Sequence, residues 1–174
     1  MNIVKKEMNR ALDGHEVLDI AGKKTKLIVY EDLKNYRTLS DLLKPYGSVV
    51  ILYEWQRQGN NSIGHYISVN KVKDSIEHFD SLMFLPDQEL KMVPKNIRKS
   101  TRQDHTYLTR LYSESGYPIS YNHHKLQADN TSTCGRWAGL RCRFKHIDLD
   151  TFAKFFLNNK NIDPDYLITL LTMK

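Results

Sequence analysis

Apolar and polar positions divide the chain into a middle that reads as strands and a C-terminal third that reads as helices. Ser48 to Trp55 (SVVILYEW) is a β-branched and aromatic run too continuous for a strand with one wet face. It is predicted as a central strand covered on both sides. Gln56 to Ile63 (QRQGNNSI) predicts a polar turn around Gly-Asn-Asn. A second strand follows over Gly64 to Val69 (GHYISV), then a polar link from Asn70 to Asp74, and a third strand over Ser75 to Ser81 (SIEHFDS). This spacing suits an antiparallel meander. Ahead of it, Thr38 to Lys44 (TLSDLLK) predicts a short helix with Ser40 as N-cap, stopped by Pro45 and Gly47.

Leu85 to Arg102 contains prolines, is basic and lacks periodicity, so it is expected to be an exposed loop. Gln103 to Ser115 predicts a helix ended by Gly116 and Pro118, and Ile119 to Leu126 (ISYNHHKL) a further strand. From Cys134 the pattern is helical, with Trp137, Ala138, Leu140 and Phe144 on one broad apolar face and Ser132 or Thr133 as cap. Asp148 or Asp150 can cap a helix carrying Phe152, Phe155, Phe156 and Leu157. Asp163-Pro164 then opens a last helix carrying Tyr166, Leu167, Leu170 and Leu171. The expected class is α+β, a central mixed but mostly antiparallel sheet packed against helices.

A length of 174 residues points to a single domain spanning 1–174, long enough to bury a core. Hydrophobic residues at 40% and charged residues at 26% are those of a globular protein, and no apolar run approaches the roughly 20 residues a membrane helix needs. The N-terminal MNIVKKEMNRALDGHEV is charged throughout, which argues against a secretory signal and for a reducing intracellular setting, not a secreted one. Two cysteines agree with that setting. The net charge of +6 collects at Lys23, Lys24 and Lys26, and again at Lys91, Lys95, Arg98, Lys99 and Arg102. Such clusters are either a solvated face or a non-specific patch for nucleic acid.

The candidate chemistry centres on Cys134, in NTSTCGRWAGL, where a polar loop gives way to a helix. A thiol at a helix N-terminus meets unpaired N–H groups and the positive end of the dipole, which favours thiolate. Gly135 leaves room for a substrate backbone to approach, and N–H groups there could meet the oxyanion of a tetrahedral intermediate. A thiolate nucleophile needs a base and a group that orients the base. His65 begins one predicted strand, where it could project over a sheet edge. Asp80 ends the next strand, so the two could come within hydrogen-bond reach.

In the order His, Asp, Gln, Cys, the segments GHYISV, EHFDSL, KLQADNTSTCG and RWAGLRCRF resemble the cysteine protease clan of adenain, the adenovirus maturation protease, and the SUMO-specific proteases. The resemblance covers Val49 to about Phe144. It implies Cys134 as nucleophile at the start of a buried helix, His65 as base, Asp80 as its orienter, and Gln127 with the Cys134 N–H as oxyanion hole. Trp55 or Tyr66 would wall a narrow groove for a small residue before the cut. Glu77 could take the acid role, but strand alternation sets it on the opposite face from Asp80. Thr133 before Cys134 and the seven-residue step from Gln127 favour the viral branch. The resemblance then implies cleavage of capsid or core precursors next to Gly, in the virion or at the cytoplasmic or nuclear site of assembly, by a monomer from a large DNA virus, virophage or related element. It leaves DNA as an activator resting on net charge alone. No cofactor is required, and the peptide cofactor of adenain is not carried over, because Cys142 is expected to be buried.

Two other classes compete. A metal site built from Cys134, Cys142, His146 and His123 or His124 lacks ordinary zinc spacing, so no metal is expected. A non-catalytic nucleic-acid module would use the basic clusters, but the 10 tyrosines are spread along the chain and form no stacking platform. Within peptidases, the alternative is processing or deconjugation of ubiquitin-like proteins.

Overall fold

The computed structural model describes residues 2–58 and 61–174, with side chains at all of these except 57, 58 and 61. Five strands form one sheet in the order β1 (Lys26–Val29), β2 (Ser48–Gln58), β3 (Asn61–Val72), β4 (Ser75–Phe79) and β5 (Ile119–Tyr121). The β2–β3–β4 meander is antiparallel, and both edge strands run parallel to their neighbours. The fold is therefore α+β with a mixed sheet. β2 is covered on both faces, as its apolar continuity requires: Val49, Ile51 and Tyr53 enter one core, Val50 and Leu52 the other.

On the first face lie α3 (Leu39–Leu43), α5 (Tyr107–Ser113) and a 3₁₀ turn over Tyr30–Asn35, whose Tyr30, Leu33, Leu42 and Leu111 fill the core. On the second face α6 (Cys134–Arg143) packs against the sheet and against α2 (Gly14–Ala21). Behind it stand α7 (Leu149–Leu157) and α8 (Pro164–Thr172), around a third core built on Trp137, Phe152 and Phe156, with α1 (Ile3–Met8) packed on α8. Each such aliphatic or aromatic side chain contributes roughly 1.5–3 kcal/mol on burial.

Several boundaries move. Thr38, not Ser40, caps α3 by accepting from Asp41 N–H, because Ser40 already lies inside the helix. β2 and β3 extend well beyond the apolar runs, and the Gly59-Asn60 apex of the expected turn lies outside the described residues. The segment expected as an exposed loop contains a 3₁₀ turn over Gln88–Lys91 and α4 (Lys95–Ser100), and it buries Glu89, Leu90, Val93 and Thr101. Gln103 lies outside α5. Its buried amide accepts from Glu54 N–H and donates to Glu54 C=O, satisfying β2 where a bulge interrupts the ladder between Glu54 and Gln56. β5 ends at Tyr121, so His123 and His124 lie on an exposed loop and not on a strand. Asp148 is the cap of α7, and Asp163 with Pro164 opens α8 as expected.

The face of α6 is broader than its apolar residues alone suggest. Every residue from Cys134 to Cys142 is buried, two arginines included. Arg141 holds Glu77 of β4 through paired bonds of 2.7 and 2.8 Å and caps the carbonyls of Phe144 and Ile147. Arg136 reaches Glu7 at 2.8 Å. Glu77 is thereby committed to fixing the helix against the sheet. Replacing Arg141 with Ala leaves that carboxylate buried without a counter-charge, and is expected to cost about 3–5 kcal/mol in urea denaturation.

Candidate active site

Gly64 and the bulge beside it set the geometry. Its backbone presses so close to β2 that a Cβ would fall 1.7 Å from the Tyr53 carbonyl oxygen, so only glycine fits. The next residue, His65, stands opposite Tyr53 in the ladder, inside β3. The expected start of the strand is corrected, because β3 begins at Asn61, although at His65 it pairs with β2 alone and β4 joins only from Ser68. The His65 side chain is nonetheless only 1% exposed, covered by what packs over this end of the sheet. Its ring stacks on Trp55, with centroids 5.9 Å apart, and meets Phe84 edge-on at 6.2 Å.

Asp80 follows the last residue of β4, and its Oδ1 lies 2.9 Å from His65 Nε2. The same oxygen accepts Leu82 N–H at 2.8 Å, while Asn122 bonds both the N–H and the C=O of Asp80. A carboxylate held this firmly leaves the imidazole one orientation. The Cys134 thiol bonds the carbonyl oxygen of Gly64, the residue before His65, with Sγ 3.8 Å away, and it favours the protonated imidazole. The thiol, the imidazole and the carboxylate therefore converge.

The electrostatics follow from burial and charge. Burial acts to strip the proton from His65, but the charge and hydrogen bond of Asp80, helped by Cys134, outweigh it and hold His65 well above the usual histidine range. Burial would raise Asp80, yet the imidazolium charge and bonds from Glu89 and His65 bring it down to about 2. Burial pushes the Cys142 thiol up to about 12, which leaves it inert.

Gln127 is tied to the residue after Asp80. Ser81 Oγ donates to its Oε1 at 2.7 Å, and Ser81 C=O accepts the N–H groups of Leu126 and Gln127. Its Nε2 donates to Thr131 C=O at 3.0 Å, which uses one of its two N–H bonds and fixes the amide's orientation. The loop from Ala128 to Thr133 is anchored by Asp165 of α8, a buried carboxylate that sequence reading passed over. It accepts from Ala128 N–H (2.8 Å), Thr131 Oγ1 (3.1 Å), Trp137 Nε1 (2.9 Å) and Thr133 Oγ1. Thr133 consequently gives α6 no side-chain cap, contrary to expectation, since its hydroxyl is turned to Asp165.

Two expected groove residues face elsewhere. Tyr66 alternates away from His65 and packs in the core beside α6. A Cβ at Gly135 would lie 2.7 Å from Val17 Cγ2 and 3.2 Å from Tyr66 Cδ2, so this glycine admits α2 and β3 to the helix, not a substrate. Trp55 stays half-buried beside the imidazole, with its Nε1 unpaired.

His65, Asp80 and Glu89 each bring a ligand-type atom within 4.8 Å of the others. The 2.9 Å His65–Asp80 contact is, however, shorter than the roughly 3.3 Å that separates tetrahedral ligands about 2.0–2.1 Å from an ion. It is the length of a hydrogen bond. An apolar cleft of about 600 Å³ lies between α2, α6, α7 and α8, and none of the site residues lines it.

No known family model matches the chain. It is 34% identical over 169 residues to the uncharacterized protein V9 of Sputnik virophage, covering 94% of each chain. Solved structures that align with it include the ASFV pS273R protease, at 14% identity, TM-score 0.47, 95% of this chain and 68% of that one. ChlaDub1 from Chlamydia trachomatis aligns at 14% identity, TM-score 0.45, 94% of this chain and 89% of that one. The yeast Ulp1 protease domain, solved in complex with Smt3, aligns at 13% identity, TM-score 0.36, 98% of this chain and 74% of that one.

With Asp80 replaced by Asn, burial acts on His65 without its main opposing charge. An NMR titration of the His65 ring is expected to show its pKa falling by more than one unit from wild type.

Proposed function

The chain belongs to the family of the Sputnik virophage protein V9, and we propose that it is a cysteine endopeptidase that cleaves capsid or core precursors during virion maturation. The observation that carries this reading is that Cys134, at the start of a buried helix, sets its Sγ 3.8 Å from the Gly64 carbonyl, next to an imidazole oriented by a buried carboxylate at 2.9 Å. Such a set has one evident chemical use. The His65 imidazolium stabilises the Cys134 thiolate, and the sulfur attacks the scissile carbonyl. The oxyanion is met by the Cys134 N–H and by the Gln127 N–H bond not taken by Thr131. His65 then passes its proton to the leaving amine, and water, deprotonated by the imidazole, releases the acyl group. Trp55 walls the groove beside the imidazole, which suits a small residue, glycine above all, at the cut.

A virophage relative favours structural precursors as substrates over a ubiquitin-like protein ending in Gly-Gly. Incubation with virion precursors and with such a ubiquitin-like precursor separates the two, and preference for the latter overturns the choice. The exposed Lys91, Lys95, Lys99 and Arg102 are the candidate contacts for DNA as a non-specific activator, which acts only at low salt if it acts through phosphates. Among the described residues no helix is long and apolar enough to cross a membrane.

Cys134→Ala is expected to abolish cleavage with an unchanged unfolding midpoint. Gln127→Ala is expected to lower kcat about 10²–10³-fold while KM changes little; an unchanged kcat removes Gln127 from the site. Iodoacetamide at pH 8 is expected to modify Cys134 and spare Cys142 in the folded protein, read by peptide mass spectrometry.

A further inference from the structure

Behind Asp80 stands a second carboxyl group that the mechanism above does not use. Glu89, on the Gln88–Lys91 turn, is wholly buried, and its Oε1 lies 4.0 Å from His65 Nε2. Neither of its carboxyl oxygens, nor Asp80 Oδ2, has a hydrogen-bond partner when both groups are taken as acceptors. Asp80 Oδ1 is already occupied by His65 and Leu82. An oxygen of Asp80 and one of Glu89 lie within 4.8 Å of each other, so two carboxylates here would share a single cation, His65, and three oxygens would stay without a donor.

Arg98 of α4 reaches this turn but bonds the Leu90 carbonyl at 3.1 Å and lies 3.9 Å from Asp104; the groups that follow bring no positive charge. Tyr53 comes from β2 and Tyr112 from α5, both phenols that burial keeps neutral. Asp87 is itself acidic and is used by Tyr30, Tyr53 and the Thr109 N–H. His78 of β4 is held by burial at about 4 and is neutral. One proton placed between the carboxyls removes both the charge excess and the missing donor.

We propose that Glu89 is a carboxylic acid in the folded protein, and that its O–H donates to Asp80 Oδ2 and so turns Oδ1 toward His65. Glu89 is then a positioning residue. It leaves Asp80 as the one anion facing the imidazole and blocks rotation of the Asp80 carboxylate away from His65. This role rests on His65 serving as the base, although the protonation state does not. Burial, followed by the hydrogen bond to Asp80 and its charge, moves Glu89 in the same direction, well above the usual carboxylate range.

The test needs no substrate for its first two readings. In infrared spectra of the full chain at pH 8, labelled with ¹³C-carboxyl glutamate, an isotope-shifted protonated-carboxyl band is expected, and it is lost in Glu89→Gln. Absence of the band in the wild type overturns the proposal, and this reading holds even if the variant fails to fold. The second reading is stability. Above pH 4.5 the unfolded chain releases the Glu89 proton and the folded chain keeps it, so this group makes the fold less stable as pH rises, by ~tenfold in the unfolding constant per pH unit. Glu89→Gln removes that dependence, and its stability relative to wild type is expected to grow between pH 5 and pH 8, with the His65 contribution common to both. A constant difference contradicts a retained proton.

The third reading is activity. The amide of Gln can donate to Asp80 and is expected to keep kcat within about threefold. Ala, which cannot donate, is expected to lower kcat at least tenfold with little change in KM. Equal activity of the Gln and Ala variants rejects the positioning role. A divalent ion found by elemental analysis to bind wild type and not Glu89→Gln would put a metal where the proton is assigned. If the band and the stability slope are present but no protein is cleaved, the peptidase reading fails and the protonated Glu89 stands.

Discussion

A charged hydrogen bond with almost no water around it, His65 to Asp80, constrains everything near it. In water such a pair contributes little, but inside a protein each partner depends on the other to remain ionised. That dependence explains why so much backbone is devoted to Asp80. Its N–H, C=O and Oδ1 are all engaged, by Asn122 and Leu82 as well as by His65. It also explains the company of neutral aromatics. Trp55 and Phe84 exclude solvent from the imidazole without competing for its proton.

The nucleophile is placed by a separate scaffold, and the two scaffolds meet at β3. Helix α6 lies against the sheet with two glycines where side chains would clash, and with two arginines that spend their charge on Glu7 and Glu77. Its N-terminal loop is gathered by Asp165, which accepts from four donors spread over Ala128 to Trp137. Ser81, adjacent to Asp80, reaches across to Gln127. The acid side and the nucleophile side are thus joined by one short hydrogen-bonded path. A shift of α8 would move the nucleophile loop, and a shift of β4 would move both the acid and the amide.

Much of this was legible in the chain. The continuous apolar run before Trp55 marked a doubly covered strand, and the three strands of the meander followed from their spacing. The loop-to-helix switch at Cys134 marked a thiol at a helix start. Polar residues with long-range partners were less legible. Glu89 and Gln103 sit in or beside a basic, aperiodic stretch that reads as surface, and Asp165 reads as an ordinary first-turn acid. Their burial comes from what packs over them, and no local pattern encodes that. The first 37 residues hold only short elements, α1, α2 and β1, yet the Asp13 and Glu16 capping box at the start of α2 is a local signal that could have been used.

The sequence by itself determined the class of the fold, the strand that carries His65, the strand that leads to Asp80, and the helix that begins at Cys134. These depend on side-chain periodicity and on backbone preferences a few residues long. Tertiary structure alone decided that His65 is buried, that Gly135 and Tyr66 serve packing, and that a second carboxyl stands behind Asp80. Those outcomes depend on which surfaces lose water together, and solvent exclusion is a property of contacts between segments far apart in the chain.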